Sequence, residues 1–184
     1  MRASFLPKAK TLGWTPKEKD DDAIRILRPQ LVGTAAVYDE AGLAAEAKKL
    51  TEQWLTDRKA IDRDMMNVML AAGMRYGDKA HWDKLHAEAK KTTDRQERTA
   101  LLEAMSRARD PKLAQANLDL ALSDEFDRRE SITLVYGVAS FHGHRQLTWD
   151  VGKTNYETRI APLPRRAGPW LVHVASHFFG AEHN

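Results

Sequence analysis

The chain of 184 residues has no cysteine. Disulfides, thiolate zinc sites and cysteine nucleophiles are therefore excluded within it, and the composition fits a reducing compartment. Long hydrophobic runs are missing as well. No stretch approaches the ~18 apolar residues of a membrane span, and Met1 to Lys8 contain no apolar signal core. The expected location is cytoplasmic, unless a targeting segment lies in a missing N-terminal part. Charge of one sign is also scarce: 29 basic residues face 26 acidic ones. The densest basic runs, Lys48-Lys49, Lys90-Lys91 and Arg165-Arg166, are short and far apart. They read as solvated helix faces, so no nucleic-acid partner is expected. No alternating apolar pattern is long enough for a sheet.

What the sequence does contain is a period. Asp62-Arg63, Asp94-Arg95 and Asp127-Arg128 recur at intervals of 32 and 33 residues. Asp78 and Asp110 are also 32 apart and stand halfway between them. A period of this length marks stacked helical hairpins. Each of these aspartates precedes a run of apolar residues at helical spacing, where a carboxylate can accept from the free N–H groups of a helix start. Asp57-Arg58 is out of phase, so the dipeptide alone is only a marker.

The helical faces follow this frame. A short helix ends at Gly13, and Trp14-Thr15-Pro16 makes a turn. Asp20, Asp21 and Asp22 form a solvated start for a helix from Ala23 to Tyr38, with a kink or restart expected near Pro29. One helix is expected from Asp39 to about Leu55 (Leu43, Ala47, Leu50, Trp54). Others run from Asp62 to Tyr76, Asp78 to Lys90, Asp94 to Ala108 and Asp110 to Leu122, with Pro111 at a first helical position. Ser131 to Ser140 and His144 to Arg159 form a further pair. A loop with Pro162, Pro164, Gly168 and Pro169 leads to a last helix carrying Trp170, Val174, His177 and Phe178. The linkers are short, which favours antiparallel neighbours. The expected fold is all-α: antiparallel hairpins stacked as an α-α superhelix of the HEAT or armadillo kind, forming one domain over residues 1–184.

Few residues suggest chemistry. His173 and His177 share a helix face as in His-Glu-x-x-His, but Val174 occupies the general-base position. They support at most a weak metal site, and the corresponding rival function is a metal hydrolase. His142-Gly143-His144 reads as a turn, and His81 and His86 face different directions. Ser140 lies near His142 without a nucleophile-elbow pattern. Trp54, Trp82, Trp149 and Trp170 read as core, whereas Trp14 is expected to contact something outside the stack. Met65, Met66, Met69 and Met74 are core residues or a plastic binding face. Arg128 and Arg129 open one helix and Arg145 opens its partner, with both starts expected at the same end of the hairpin. Cations there oppose the helix dipole, which makes a carboxylate, such as a peptide C-terminus, the candidate ligand. Solvation is the alternative.

An ordered set of short motifs carries a resemblance. Leu12-Gly13-Trp14-Thr15-Pro16 leads to Leu27-Arg28-Pro29-Gln30-Leu31, then to Ala44-Ala45-Glu46-Ala47 with Trp54-Leu55. Tyr76-Gly77, Trp82 and Asp110-Pro111-Lys112-Leu113 follow. Ser123-Asp124-Glu125 then precedes Gly137-Val138, Gly143, Arg145, Trp149 and Asn155-Tyr156. Over nearly its whole length the chain resembles the C-terminal helical domain of the zinc aminopeptidases of the aminopeptidase N and puromycin-sensitive aminopeptidase family. That resemblance implies a fragment of a larger multidomain enzyme. The zinc, the His-Glu-x-x-His motif and the Gly-x-Met-Glu-Asn motif would belong to a missing catalytic domain. The chain itself would be non-catalytic and hold no cofactor: a bowl of hairpins covering the active site and shaping the peptide cavity. Its partners would be the parent's other domains and the peptide substrate. Asp127-Arg128-Arg129-Glu130 stands where the family often has Arg-x-Gln-Asp, so no functional residue carries over by motif. The alternative function is a free-standing scaffold that binds a protein or peptide partner.

Overall fold

A computed structural model describes residues 2–160. The Pro162–Pro169 loop, the Arg165-Arg166 run, the expected helix with Trp170, and the His173/His177 pair lie outside the described residues. Among the described residues every regular element is helical and no strand occurs. The chain divides into two compact units, Met1–Met105 and Ser106–Asn184.

The first unit begins with α1 (Arg2–Leu12), which ends at Gly13. Gly13 has φ +64°, a left-handed conformation that glycine adopts without a Cβ penalty. Trp14 then turns inward. It is 2% exposed, and its indole N–H donates to the Leu43 carbonyl at 3.0 Å. The expectation of an outward contact is therefore corrected. A large apolar ring with one donor is satisfied where a loop carbonyl meets the core. Asp21 caps α2 (Asp22–Ala36) by accepting from the Ile24 N–H at 2.8 Å. Asp20, by contrast, is no solvated helix-start residue. It pairs with Arg28, which is fully buried and also donates to the Leu12 and Gly13 carbonyls. The helix passes through Pro29 without restarting.

The expected Asp39–Leu55 helix is split. A π-helical turn, Glu40–Ala44, precedes α3 (Ala45–Thr56). The Asp39 carboxylate folds over this turn and accepts from the Leu43 N–H at 3.0 Å. Gly42 permits this, because a Cβ there would stand 2.2 Å from Asp39 Oδ2.

Next come α4 (Arg63–Arg75), α5 (Lys79–Lys91) and α6 (Arg95–Met105). The periodic aspartates cap them as the spacing predicts. Asp62 accepts from Asp64 N–H at 2.9 Å, Asp78 from His81 N–H at 2.8 Å, and Asp94 from Gln96 N–H at 2.7 Å. Out-of-phase Asp57 also caps, but over a single 3₁₀ turn, Arg58–Ala60. The packed pairs of consecutive helices are α3 with α4 and α5 with α6, not α4 with α5 as the sequence frame expects, and α4 lies between α2 and α6. The local stacking is still that of hairpin repeats, with the pairing shifted by one helix. Gly73 marks one close crossing, where a Cβ would stand 3.1 Å from the Lys48 backbone. Met65, Met69 and Met74 are buried with Trp54, Leu70, Leu85 and Leu101, which settles their role as core.

The second unit holds α7 (Pro111–Leu122), α8 (Arg128–Ser140) and α9 (Arg145–Thr154). Asp110 and Asp127 cap α7 and α8, and Pro111 sits at the start of α7. α8 starts three residues before the expected Ser131 because the cap, not the first buried residue, sets the boundary. Ala114, Leu118, Val135, Val138 and Ala139 form the core, with Leu147, Trp149 and Val151 packed against it. At Gly137 a Cβ would come within 1.8 Å of Ser106 Oγ, so only glycine fits there.

Candidate functional site

The recurring Asp-Arg pair has two parts, and the structure gives them separate tasks. The aspartate turns inward along the backbone to cap. The arginine, at the first helical position, projects outward. Because α4 and α6 lie side by side, Arg63 and Arg95 line the same groove of about 670 Å³. Its other walls are Asp64, Met66, Asn67, Gln96, Thr99, Ala100 and Glu103. Arg63 Nη2 donates to Gln96 Oε1 at 2.5 Å, which ties the starts of the two helices together.

This surface mixes both signs of charge with amide groups and a short apolar strip. Met66 is half-buried in it and Ala100 is buried. Such a lining offers donors and acceptors to a polar chain and no single-sign field. Sequence reasoning missed this groove. The signal that would have found it was the phase of the repeat: residues one period apart, on α4 and α6, become neighbours.

Arg128, Arg129 and Arg145, singled out from sequence, are not brought together. Arg128 and Arg129 begin α8, whereas Arg145 begins α9 after the short turn that follows α8. At 1.5 Å per residue the length of α8 separates them by roughly 18 Å, so the expectation of one shared end is corrected. A hairpin places the start of its second helix beside the end of its first. Each arginine also has a local partner. Arg128 Nη2 meets Asp124 Oδ1 at 3.0 Å, Arg129 binds both Asp127 oxygens at 3.0 and 2.7 Å, and Arg145 Nη1 donates to His142 Nδ1 at 3.1 Å. The hydrogen bonds that Arg129 donates to Asp127 raise the Arg129 pKa further.

The histidines of this region serve structure. His142–His144 forms a 3₁₀ turn. His144 is 2% exposed, with Nε2 3.1 Å from the Arg109 carbonyl and its ring edge-on to Phe141. His86 packs at a tilt on Trp82 at 4.9 Å. Among the described residues no three or more His, Asp or Glu side chains gather where a metal ion would fit. No described helix is long and apolar enough to cross a membrane.

The fold and these surfaces define a class: an all-helical domain of packed helices whose repeat sets arginines on its outer surface. Comparison with known proteins makes it particular. The family described as the ERAP1-like C-terminal domain matches residues 1–181, and the chain belongs to that family. Similar proteins include aminopeptidase M1 of Arabidopsis thaliana, 27% identical over 146 residues, which are 77% of this chain and 16% of the relative. Glutamyl aminopeptidase of Sus scrofa is 23% identical over 158 residues, 85% of this chain and 17% of the relative. Aminopeptidase M1-B of Oryza sativa subsp. japonica is 26% identical over 165 residues, 87% of this chain and 19% of the relative. The chain thus spans less than a fifth of the length of these relatives.

Proposed function

We propose that this chain is the non-catalytic cap of a zinc-dependent aminopeptidase, covering the parent's active site and shaping the cavity that holds the peptide. One observation carries the reading: the family match runs over residues 1–181, and the similar proteins are themselves named aminopeptidases, of which this chain corresponds to 16–19%. The zinc and the water it activates belong to the parent's catalytic domain. That domain and the peptide are the partners. The mixed-charge groove between α4 and α6 supports the reading, because a cavity wall that receives many peptides needs donors and acceptors without strong sequence preference. Arg128, Arg129 and Arg145 enter it only as separate points of peptide contact, each already held by a neighbour.

Peptide-length dependence tests the cap. The intact parent is expected to slow on peptides too long for a closed cavity. A parent truncated before residue 1 is expected to keep cleaving a single-residue amide and to lose that length limit. A truncated parent with intact amide turnover and an unchanged length profile refutes the cap.

A further inference from the structure

Side chains join α3 to the start of α5, and His81 among them has a chemistry the cap does not use. It lies in the first turn of α5, 1% exposed, and its side chain is sealed from solvent. Nδ1 stands 3.3 Å from Glu52 Oε1 on α3. A carboxylate only accepts, so Nδ1 carries the proton in the neutral ring. Nε2 then presents a lone pair, and it is buried with no hydrogen-bond partner among the described residues. The ring edge rests on Gly77: a Cβ there would lie 3.1 Å from His81 Cδ2 and 2.7 Å from Met74 Cε.

The charged groups facing the ring are already engaged. From α3, Glu52 is shared with Lys84 at 2.6 Å, and Lys48 pairs with Asp78 at 2.8 Å. From α5 come Asp78, which caps the helix, and Lys84. Just beyond α4, Gly77 lies against the ring edge. A neutral imidazole fits this arrangement. A protonated one would place a second N–H where nothing accepts it, and a cation in the first turn of a helix, against the dipole.

We propose that His81 is a proton-operated latch between α3 and α5: the neutral ring closes the seam and the protonated ring opens it. The electrostatics agree in direction. Burial, the largest influence, lowers the His81 pKa from 6.5 despite the opposing pull of Glu52. The unfolded or opened chain therefore takes up the proton first as pH falls through about 6.5, and closure weakens from there down to the pKa of the closed form. Each pH unit in that window shifts the closed-to-open ratio by up to about tenfold. Above pH 6.5 the latch contributes no pH dependence.

Two measurements on the full chain test this. A histidine-resolved NMR titration should place the His81 midpoint below 6.5. Amide exchange, corrected for intrinsic rates and compared at pH 7.5 and 5.5, should show protection falling in the α3–α5 seam at the lower pH. His81→Asn keeps a donor toward Glu52 without a titratable ring, and should flatten that difference. If His81→Asn does not fold, the wild-type titration and exchange decide alone. A midpoint at or above 6.5, seam protection that does not fall, or a folded His81→Asn protein with the wild-type pH response overturns the latch.

Discussion

Polar ties cross a whole repeat within each unit, but the two units use different groups for them. In the first unit they are mostly ion pairs. Lys48 meets Asp78, Lys84 meets Glu52, and Arg63 meets Gln96. Arg58 does most: it pairs with Glu88 and Glu97, donates to the Trp54 and Leu55 carbonyls, and stacks on the Trp54 ring at 4.0 Å. In the second unit, Arg107 Nη1 donates to Ser140 Oγ at 3.3 Å and His144 Nε2 meets the Arg109 carbonyl at 3.1 Å, whereas Arg128, Arg129 and Arg145 bind groups two to four residues away. There the apolar contact of α7 with α8 and the close approach at Gly137 define the packing. A stack can thus be registered by ion pairs across the repeat or by ties to neutral groups together with shape. The first leaves charge on the surface in fixed positions, as in the α4–α6 groove.

Substitutions break or sharpen this contrast. The largest effect is expected from Trp54→Ala, which empties a buried site and removes the Arg58 platform. Denaturant unfolding should show a loss of about 3–5 kcal/mol. In the second unit Gly137→Ala should cost ~1–3 kcal/mol by overpacking, and Ser106→Gly in the same chain should recover part of it. No recovery would mean that the crossing is not what the glycine serves. Arg58→Ala should lose about 1–3 kcal/mol by leaving two partly buried carboxylates without their cation. Smaller again, Asp62→Ala should cost ~0.5–2 kcal/mol through the lost cap, and Asp62→Asn should restore most of it. Arg129→Ala, on an exposed pair, should leave the melting temperature unchanged.

Acid titration separates the ties further. The hydrogen bond from Lys48, aided by the His81 N–H, holds the Asp78 pKa down at about 2. The unfolded chain takes up that proton first, so the Asp78 contribution is complete above its ordinary pKa of 3.8 and fades as pH falls from there toward 2. Unfolding midpoints followed against pH should therefore decline in this range for the wild type and less steeply for Lys48→Met.

Helix starts were legible in the sequence because capping is local: an aspartate and the next three N–H groups carry the whole signal. The second members of the pairs were not, because Arg63 and Arg95 become neighbours only when α4 and α6 stack. Trp14 and Asp20 misled for a related reason. A turn tryptophan and an aspartate ahead of a helix look exposed until the Leu43 carbonyl receives the indole N–H and the buried Arg28 guanidinium meets the carboxylate. The π-helical turn after Asp39 was hidden in the same way, since it depends on a carboxylate folding over Gly42.

The proposed cap leaves catalysis to the parent's other domains. Its most direct test is a side-by-side aminopeptidase assay of isolated residues 1–184 and the full-length parent, each supplied with zinc. Turnover is expected from the parent alone, abolished by a chelator and restored by zinc. Robust zinc-dependent turnover by the isolated chain would contradict the account and return His173 and His177 to the centre of it.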